Sequence, residues 1–386
     1  MITRHYDHLE NYLQPNKVLV LYGPRRVGKT TLLQNFLSRT SLKYRLETGD
    51  DLSTRQTLSS ESIPTLRQYA SGFDLIAIDE AQKIPQVGQG LKILVDHVPN
   101  LKIVVTGSAS LDLSNKLGEP LTGRQFIYTL YPVSQLELSS QTNPHDLKTS
   151  LESYLRWGSY PEVLSLDPPD QKDLYLKTLV HNYLFKDILE LERIKGVKLL
   201  TDLLKLIAFQ VGSEVSLTEL GSTLGLDKKT VYRYLYLLEK SFIIFELRGL
   251  SRNLRSEITK KSKFYFLDNG VRNAIISNFN PLDTRNDTGQ LWENFLVSER
   301  KKTQEYARIS ANNYFWRTWS GQEIDWVEEY GGQFHGYEFK FAPPKKSTIP
   351  SLWTPTYPDS TYHIIHSKNY HEFLTPISHL AHSNNL

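Results

Sequence analysis

Three runs in the first 110 residues are apolar without alternation: Lys17-Val18-Leu19-Val20-Leu21-Tyr22, Phe73-Asp74-Leu75-Ile76-Ala77-Ile78-Asp79 and Leu101-Lys102-Ile103-Val104-Val105-Thr106. A short apolar run bounded by turn residues predicts a strand covered on both faces. Thr30 to Leu37 has helical spacing, and a second helical pattern separates the last two strands. Strands alternating with helices predict a parallel, doubly wound sheet. After about residue 135 the spacing turns helical, with Leu174, Leu176, Leu179, Val180 and Leu184 along one stretch, and the polar run Ser139 to His145 reads as a linker. Beyond Leu282 a helix around Leu291 to Lys301 precedes strands rich in Tyr, Phe and Trp. No solenoid or propeller period and no low-complexity tract interrupts these blocks.

Composition narrows the classes. A chain of 386 residues is long enough for about two to four domains, and 39% hydrophobic with 23% charged residues is the balance of ordered globular protein. Cysteine is absent, which excludes a disulfide framework and thiolate chemistry and fits a reducing compartment. The start lacks the apolar core of a signal peptide, and no apolar run reaches the roughly 18 residues of a membrane span. The expectation is a cytoplasmic protein with no membrane partner. Net charge is +3, yet Lys228 to Lys263 holds ten Lys/Arg against three Asp/Glu. Phosphate backbones attract such a segment, and a solvated surface explains it equally well.

The segment Gly23-Pro24-Arg25-Arg26-Val27-Gly28-Lys29-Thr30-Thr31 lies where the first strand turns into its helix, the context a Gly-x4-Gly-Lys-Thr phosphate loop requires. Gly23 and Gly28 permit the tight path that turns backbone N–H groups inward, and the helix start adds its positive end. Lys29 then reaches the β/γ-phosphates and the Thr30 hydroxyl binds Mg²⁺. The second strand ends in Asp79-Glu80, at the carboxyl edge where open α/β sheets bind ligands. There Asp79 suits the metal through its bound water, and Glu80 suits the attacking water as base. Thr106-Gly107-Ser108 sets the Ser108 hydroxyl beside the γ-phosphate, or makes a plain turn. Arg124, in Leu121-Thr122-Gly123-Arg124, is a candidate finger on phosphoryl charge, in cis or from a neighbouring copy of a homo-oligomer.

Together with Asp79-Glu80-Ala81-Gln82-Lys83 and Tyr154-Leu155-Arg156-Trp157-Gly158-Ser159-Tyr160-Pro161-Glu162, these motifs resemble, in order and over essentially the whole chain, a large bacterial and archaeal family of AAA-type ATPases. In that family an N-terminal ATPase is fused to a C-terminal region catalogued as a domain of unknown function. The resemblance implies ATP, with Mg²⁺, rather than GTP; the absence of an Asn/Thr-Lys-x-Asp guanine reader agrees.

Ser216 to Leu226 and Asp227 to Leu235 read as two short helices joined by a Gly-containing turn, with Ser216 and Asp227 as N-caps and Val231, Leu235 and Leu238 as the buried stripe. Lys228, Lys229, Tyr232 and Arg233 fall off that stripe, near the end such helices present to a DNA major groove. A strand Ser241 to Phe245 and the basic stretch Arg248 to Lys263 complete a pattern that resembles winged helix domains, which serve DNA contact or protein contact alike.

Farther on, Glu323-Ile324-Asp325-Trp326-Val327 and Tyr337-Glu338-Phe339-Lys340-Phe341 alternate like paired strands. Glu338 and Lys340 then share a side, with Asp325 on a neighbouring strand and Glu293 on the preceding helix. Two carboxylates could hold a divalent metal while Lys340 steadies a phosphate or hydroxide. Glu293, Asp325, Glu338 and Lys340 in this order resemble the PD-(D/E)XK nuclease superfamily, which implies Mg²⁺-dependent phosphodiester cleavage; a binding or structural remnant with cross-strand charge pairs fits the same residues. His363 and His366 fall on opposite faces of a strand, against a shared metal.

The expected architecture is α/β: a P-loop parallel-sheet ATPase domain over 1–138, a helical connector over 139–197, a winged helix segment over 198–276 and a restriction-endonuclease-like domain over 277–386. The expected function is ATP hydrolysis coupled to DNA binding. An ATP-gated nuclease and a nucleotide switch acting on protein partners are the alternatives.

Overall fold

A computed structural model describes residues 2–108, 117, 120–184, 197–251, 262–346 and 348–376. The chain divides into two units. One holds the chain as far as Val133 together with Lys240–Phe242; the other holds Ser134–Asn182, the stretch ending at Glu239 and the chain from Ile243 onward.

The first unit is built on five parallel strands in the order β2-β3-β4-β1-β5: β1 Val18–Gly23, β2 Tyr44–Thr48, β3 Leu75–Asp79, β4 Lys102–Ser108 and β5 Gln125–Thr129. β1 is buried at every position, and β3 and β4 nearly so, because helices pack on both faces of a parallel sheet. Leu66 and Leu58 from two short helices and Leu91 and Leu94 from the helix Val87–His97 join Val20, Ile78 and Val105 in the core. The edge strands β2 and β5 carry mixed, partly exposed residues.

In the second unit, helices Gln135–Ser139 and Pro144–Thr149 flank the polar run expected to be a linker. Leu174, read as part of a helically spaced stretch, is 68% exposed on the helix Pro169–Leu179, while Leu176 and Leu179 are buried. A mixed seven-stranded sheet follows, in the order β12-β11-β10-β9-β7-β8-β6: β6 Glu214–Val215, β7 Ile244–Gly249, β8 Ser262–Phe266, β9 Asn312–Arg317, β10 Glu323–Tyr330, β11 Gln333–Phe339 and β12 Thr361–Ile365. It takes strands from both sides of residue 276, since β7 pairs with β9. The strand read from Ser241 begins only at Ile244, because Phe242 adopts a left-handed conformation (φ 55°) that breaks extension.

Candidate functional site

Among the described residues, the carboxyl edge of the first sheet gathers the predicted nucleotide residues. β1 ends at Gly23, where φ is 147° and a Cβ would stand 2.0 Å from the Leu130 carbonyl oxygen, so only glycine fits. The loop Pro24 to Val27 then turns through a left-handed Arg26, and Gly28 (φ 95°) hands the chain to the helix Lys29–Leu37; Thr31 is exposed in its first turn. Lys29, 7% exposed, bends into the loop and donates to the carbonyls of Gly23 (2.9 Å) and Pro24 (2.8 Å).

β4 lies between β1 and β3, so the side chains at its carboxyl end fall between the loop and Asp79-Glu80. The Thr30 hydroxyl donates to Asp79 Oδ2 at 2.8 Å, and Thr106 donates to the other carboxylate oxygen. Glu80 is left-handed (φ 53°, ψ 41°), a conformation that turns its side chain out of the strand's alternation. Gln82 Nε2 donates to the Glu80 carboxylate and, at 2.9 Å, to Ser108 Oγ. The structure therefore joins Thr30, Asp79, Glu80 and Ser108 in one network with Thr106 and Gln82, with Lys29 held inside the adjoining loop. It fits the group a Gly-x4-Gly-Lys-Thr loop takes: a cradle that excludes a Cβ, a buried ammonium, and a hydroxyl aligned on a carboxylate for Mg²⁺.

Arg124 stands apart. Its carbonyl accepts from Val18 N–H at 2.9 Å, at the amino end of β1, roughly 16 Å along the strand from Gly23. Its guanidinium is paired with Asp96 at 2.8 Å. A finger role from this position can serve only the site of another copy.

Two residues of this site have no role legible in the sequence. Gln82 lies within the Asp79 to Lys83 motif, where nothing local marks its amide as a bridge. Arg4, 8% exposed, donates to the carbonyls of Val27 (2.5 Å) and Tyr131 (2.6 Å) and so pins the phosphate loop from behind. An arginine 19 residues before the motif gives no periodic signal of that contact.

In the second unit, Ser216 accepts from Glu219 N–H (3.3 Å) and Asp227 from the N–H groups of Lys229 (2.9 Å) and Thr230 (3.0 Å), capping the helices Leu217–Leu224 and Lys228–Lys240. A Cβ on Gly221, within the first helix, would meet the Leu226 carbonyl oxygen at 2.5 Å, and the left-handed Gly225 (φ 67°) makes the turn. Val231, Tyr234, Leu235, Leu237 and Leu238 are buried. Lys228, Lys229, Tyr232 and Arg233 are exposed, and Tyr236, which the sequence does not single out, extends their face at 38% exposure. Of the basic stretch that follows, residues 252–261 lie outside the described residues, Arg248 pairs with Glu246 at 3.3 Å, and Lys263 is buried rather than aligned along a surface.

The expected carboxylates lie on adjoining elements of the second unit. Trp326 pairs with Tyr337 in the β10–β11 hairpin, and Asp325 Oδ2 accepts from the Phe339 N–H at 2.8 Å. Lys340 Nζ pairs with Glu338 at 2.7 Å. Glu293, on the helix Thr288–Tyr306, accepts from Tyr265 Oη at 2.6 Å and lies 3.4 Å from Lys263 Nζ. Lys263 is also 2.6 Å from Glu323, with a side chain only 1% exposed. Burial alone would lower Lys263, but Glu293, Asp325 and Glu323 outweigh it and hold its pKa above the ordinary lysine value. Burial, and then the charges of Glu293 and Glu338, push Asp325 well above the ordinary carboxyl range. Among the described residues, no three or more Asp, Glu, His or Cys side chains converge as a metal site would require. His363 sits on β12 opposite Tyr337, and His366 lies beyond the strand's end.

A folded-state pKa raised above 3.8 means that the charged form of Asp325 is costlier in the folded chain than in the unfolded one. The group therefore costs stability increasingly as pH climbs from 3.8 toward its folded pKa. Asp325→Asn, which retains the acceptor for Phe339, is expected to raise the melting temperature at pH 8 and to bring less gain near pH 4. Melts of both proteins across that range check the sign.

Residues 15–139 match the family described as AAA domain. Residues 148–282 match a domain of unknown function (DUF8612), and residues 288–354 match another (DUF4143). An uncharacterized protein of Mycobacterium tuberculosis is 29% identical over 359 residues, 89% of this chain and 74% of that protein. One of Haemophilus influenzae is 25% identical over 307 residues, 69% and 73%. One of Methanocaldococcus jannaschii is 22% identical over 338 residues, 83% and 74%. No helix among the described residues is long and apolar enough to cross a membrane. The chain is thus a P-loop ATPase-like AAA domain in its N-terminal region with a DUF4143 domain in its C-terminal region, and it has homologues in bacteria and archaea.

Proposed function

We propose that the chain is a Mg²⁺-dependent ATPase whose cycle is coupled to DNA contact through the helix Lys228–Lys240. The observation that carries the ATPase part is the 2.8 Å bond between Thr30 Oγ1 and Asp79 Oδ2, which links the phosphate loop to the acidic end of β3. Mg²⁺ supplies neutralisation of phosphate charge at that pair when bound. Lys29 offers its ammonium to the phosphate oxygens from inside the loop. Glu80, oriented by Gln82, takes the proton of the attacking water, and Ser108, on the same amide, positions that water. A chain without cysteine suits a cytoplasmic setting for this work.

Support for DNA comes from the exposed face of the helix Lys228–Lys240, where three cations interleave with Tyr232 and Tyr236. In this reading 198–276 acts as a winged helix segment, with residue Asp227 fixing the start of the groove-facing helix. Replacing Lys228, Lys229 and Arg233 together by Gln is expected to weaken duplex binding across all sequences and to reduce the salt slope of log K by about one for each cation that no longer meets a phosphate. ATP turnover measured with and without duplex DNA, in wild type, Lys29→Ala and this triple variant, tests the coupling. Stimulation by DNA that disappears in the triple variant supports it. Stimulation that survives in the triple variant, or turnover indifferent to DNA, sinks it and turns attention to protein partners.

A further inference from the structure

We infer that Lys263 is the resident cation of the carboxylate cluster: its ammonium fills the space between Glu293 and Glu323 beside Asp325, keeps divalent ions out, and leaves the C-terminal domain without phosphodiester cleavage. The inference does not depend on the ATPase or DNA reading. Period-two alternation puts Lys263 and Tyr265 on one side of β8, and both reach Glu293, Tyr265 at 2.6 Å and Lys263 at 3.4 Å. Glu323, from β10, closes on the ammonium at 2.6 Å, and the Phe315 ring lies 5.2 Å from it. These neighbours surround a cation with two carboxylates, and with an aromatic face that attracts positive charge.

A hard divalent ion needs oxygens at about 2.0–2.6 Å and several of them at once. Here the ammonium already occupies two carboxylates, Glu293 and Glu323, and the Tyr265 hydroxyl takes a further site on Glu293. With the Lys263 side chain 1% exposed, an entering metal would have to drive a buried ammonium out of its ion pairs, which is strongly unfavourable. Lys340 cannot take over that place, since its partner is Glu338 and its side chain is 53% exposed. The lysine that matters to the cluster therefore comes from outside the Glu-x-Lys strand, 30 residues ahead of Glu293.

Mn²⁺ titration followed by electron paramagnetic resonance, on the full chain without nucleotide or DNA, tests the inference. Wild type is expected to show no bound Mn²⁺ that depends on Asp325. Lys263→Met is expected to gain one bound Mn²⁺ per chain, absent again in Lys263→Met/Asp325→Asn. Mn²⁺ bound by wild type and released in Asp325→Asn overturns the inference, as does a folded Lys263→Met chain that binds none. Should Lys263→Met not fold, Lys263→Gln replaces it, and the wild-type titration remains decisive by itself. Plasmid DNA kept with wild type and Mg²⁺ should stay uncut; nicking that Asp325→Asn abolishes would also overturn the inference.

Discussion

Glu80→Gln is expected to lower ATP turnover by roughly 10²–10⁴-fold, the range for loss of a positioned general base, while ATP binding stays close to wild type. The substitution keeps the side chain's length and its acceptor oxygen, so the bond from Gln82 Nε2 and the link onward to Ser108 survive. Asp79 keeps its bonds to Thr30 and Thr106, which leaves the metal side of the site intact. Only the capacity to accept a proton is removed. Lys29→Ala should behave differently: it deletes the cation inside the loop and should weaken nucleotide binding together with turnover. Steady-state hydrolysis alongside equilibrium binding of a fluorescent ATP analogue separates the two. Turnover near wild type in Glu80→Gln would place the base elsewhere.

Why these residues are legible in the sequence, and others are not, follows from what a periodic pattern encodes. β1, β3 and β4 sit between helices, so nearly every side chain is apolar and the strands stand out in the sequence. The edge strands β2 and β5 face solvent on part of their surface, and their mixed residues carry no comparable signal. The candidate nucleotide residues are readable because the loop and the ends of β3 and β4 are local motifs whose meeting is dictated by a parallel sheet. Gln82 is within reach, two residues past Glu80, but its role depends on the left-handed turn at Glu80. Arg4 and Lys263 are beyond reach, since each acts through partners far away in sequence. In the second unit, the alternation of Glu323–Val327 and Tyr337–Phe341 marks two neighbouring strands, whose register meets at Trp326 and Tyr337, whereas the parallel β7–β9 pairing that joins them to the preceding segment leaves no local trace.

The helix Thr288–Tyr306 shows the same limit at its most costly, and a large stability effect is expected there. It reads as charged, yet Glu299, Arg300, Lys302 and Gln304 are all buried. Arg300 forms a two-pronged pair with Glu328 at 2.5 and 2.7 Å, with side chains 1% and 0% exposed, and donates to the Phe373 carbonyl at 2.6 Å. Glu328 also accepts from Trp326 Nε1 (2.9 Å) and Gln304 Nε2 (2.8 Å). Removing one partner strands a buried charge, so Glu328→Leu is expected to cost about 3–5 kcal/mol. Arg300→Met/Glu328→Leu removes both charges and should recover much of that loss, though not all, because Trp326 Nε1 and the Phe373 carbonyl lose these bonds, while Gln304 keeps only its bonds to Asn313. All six tryptophans, at 157, 292, 316, 319, 326 and 353, belong to the second unit, so urea unfolding followed by tryptophan fluorescence reports this unit directly. A double variant no more stable than Glu328→Leu would mean that the loss comes from the hydrogen bonds around the pair rather than from the unpaired guanidinium.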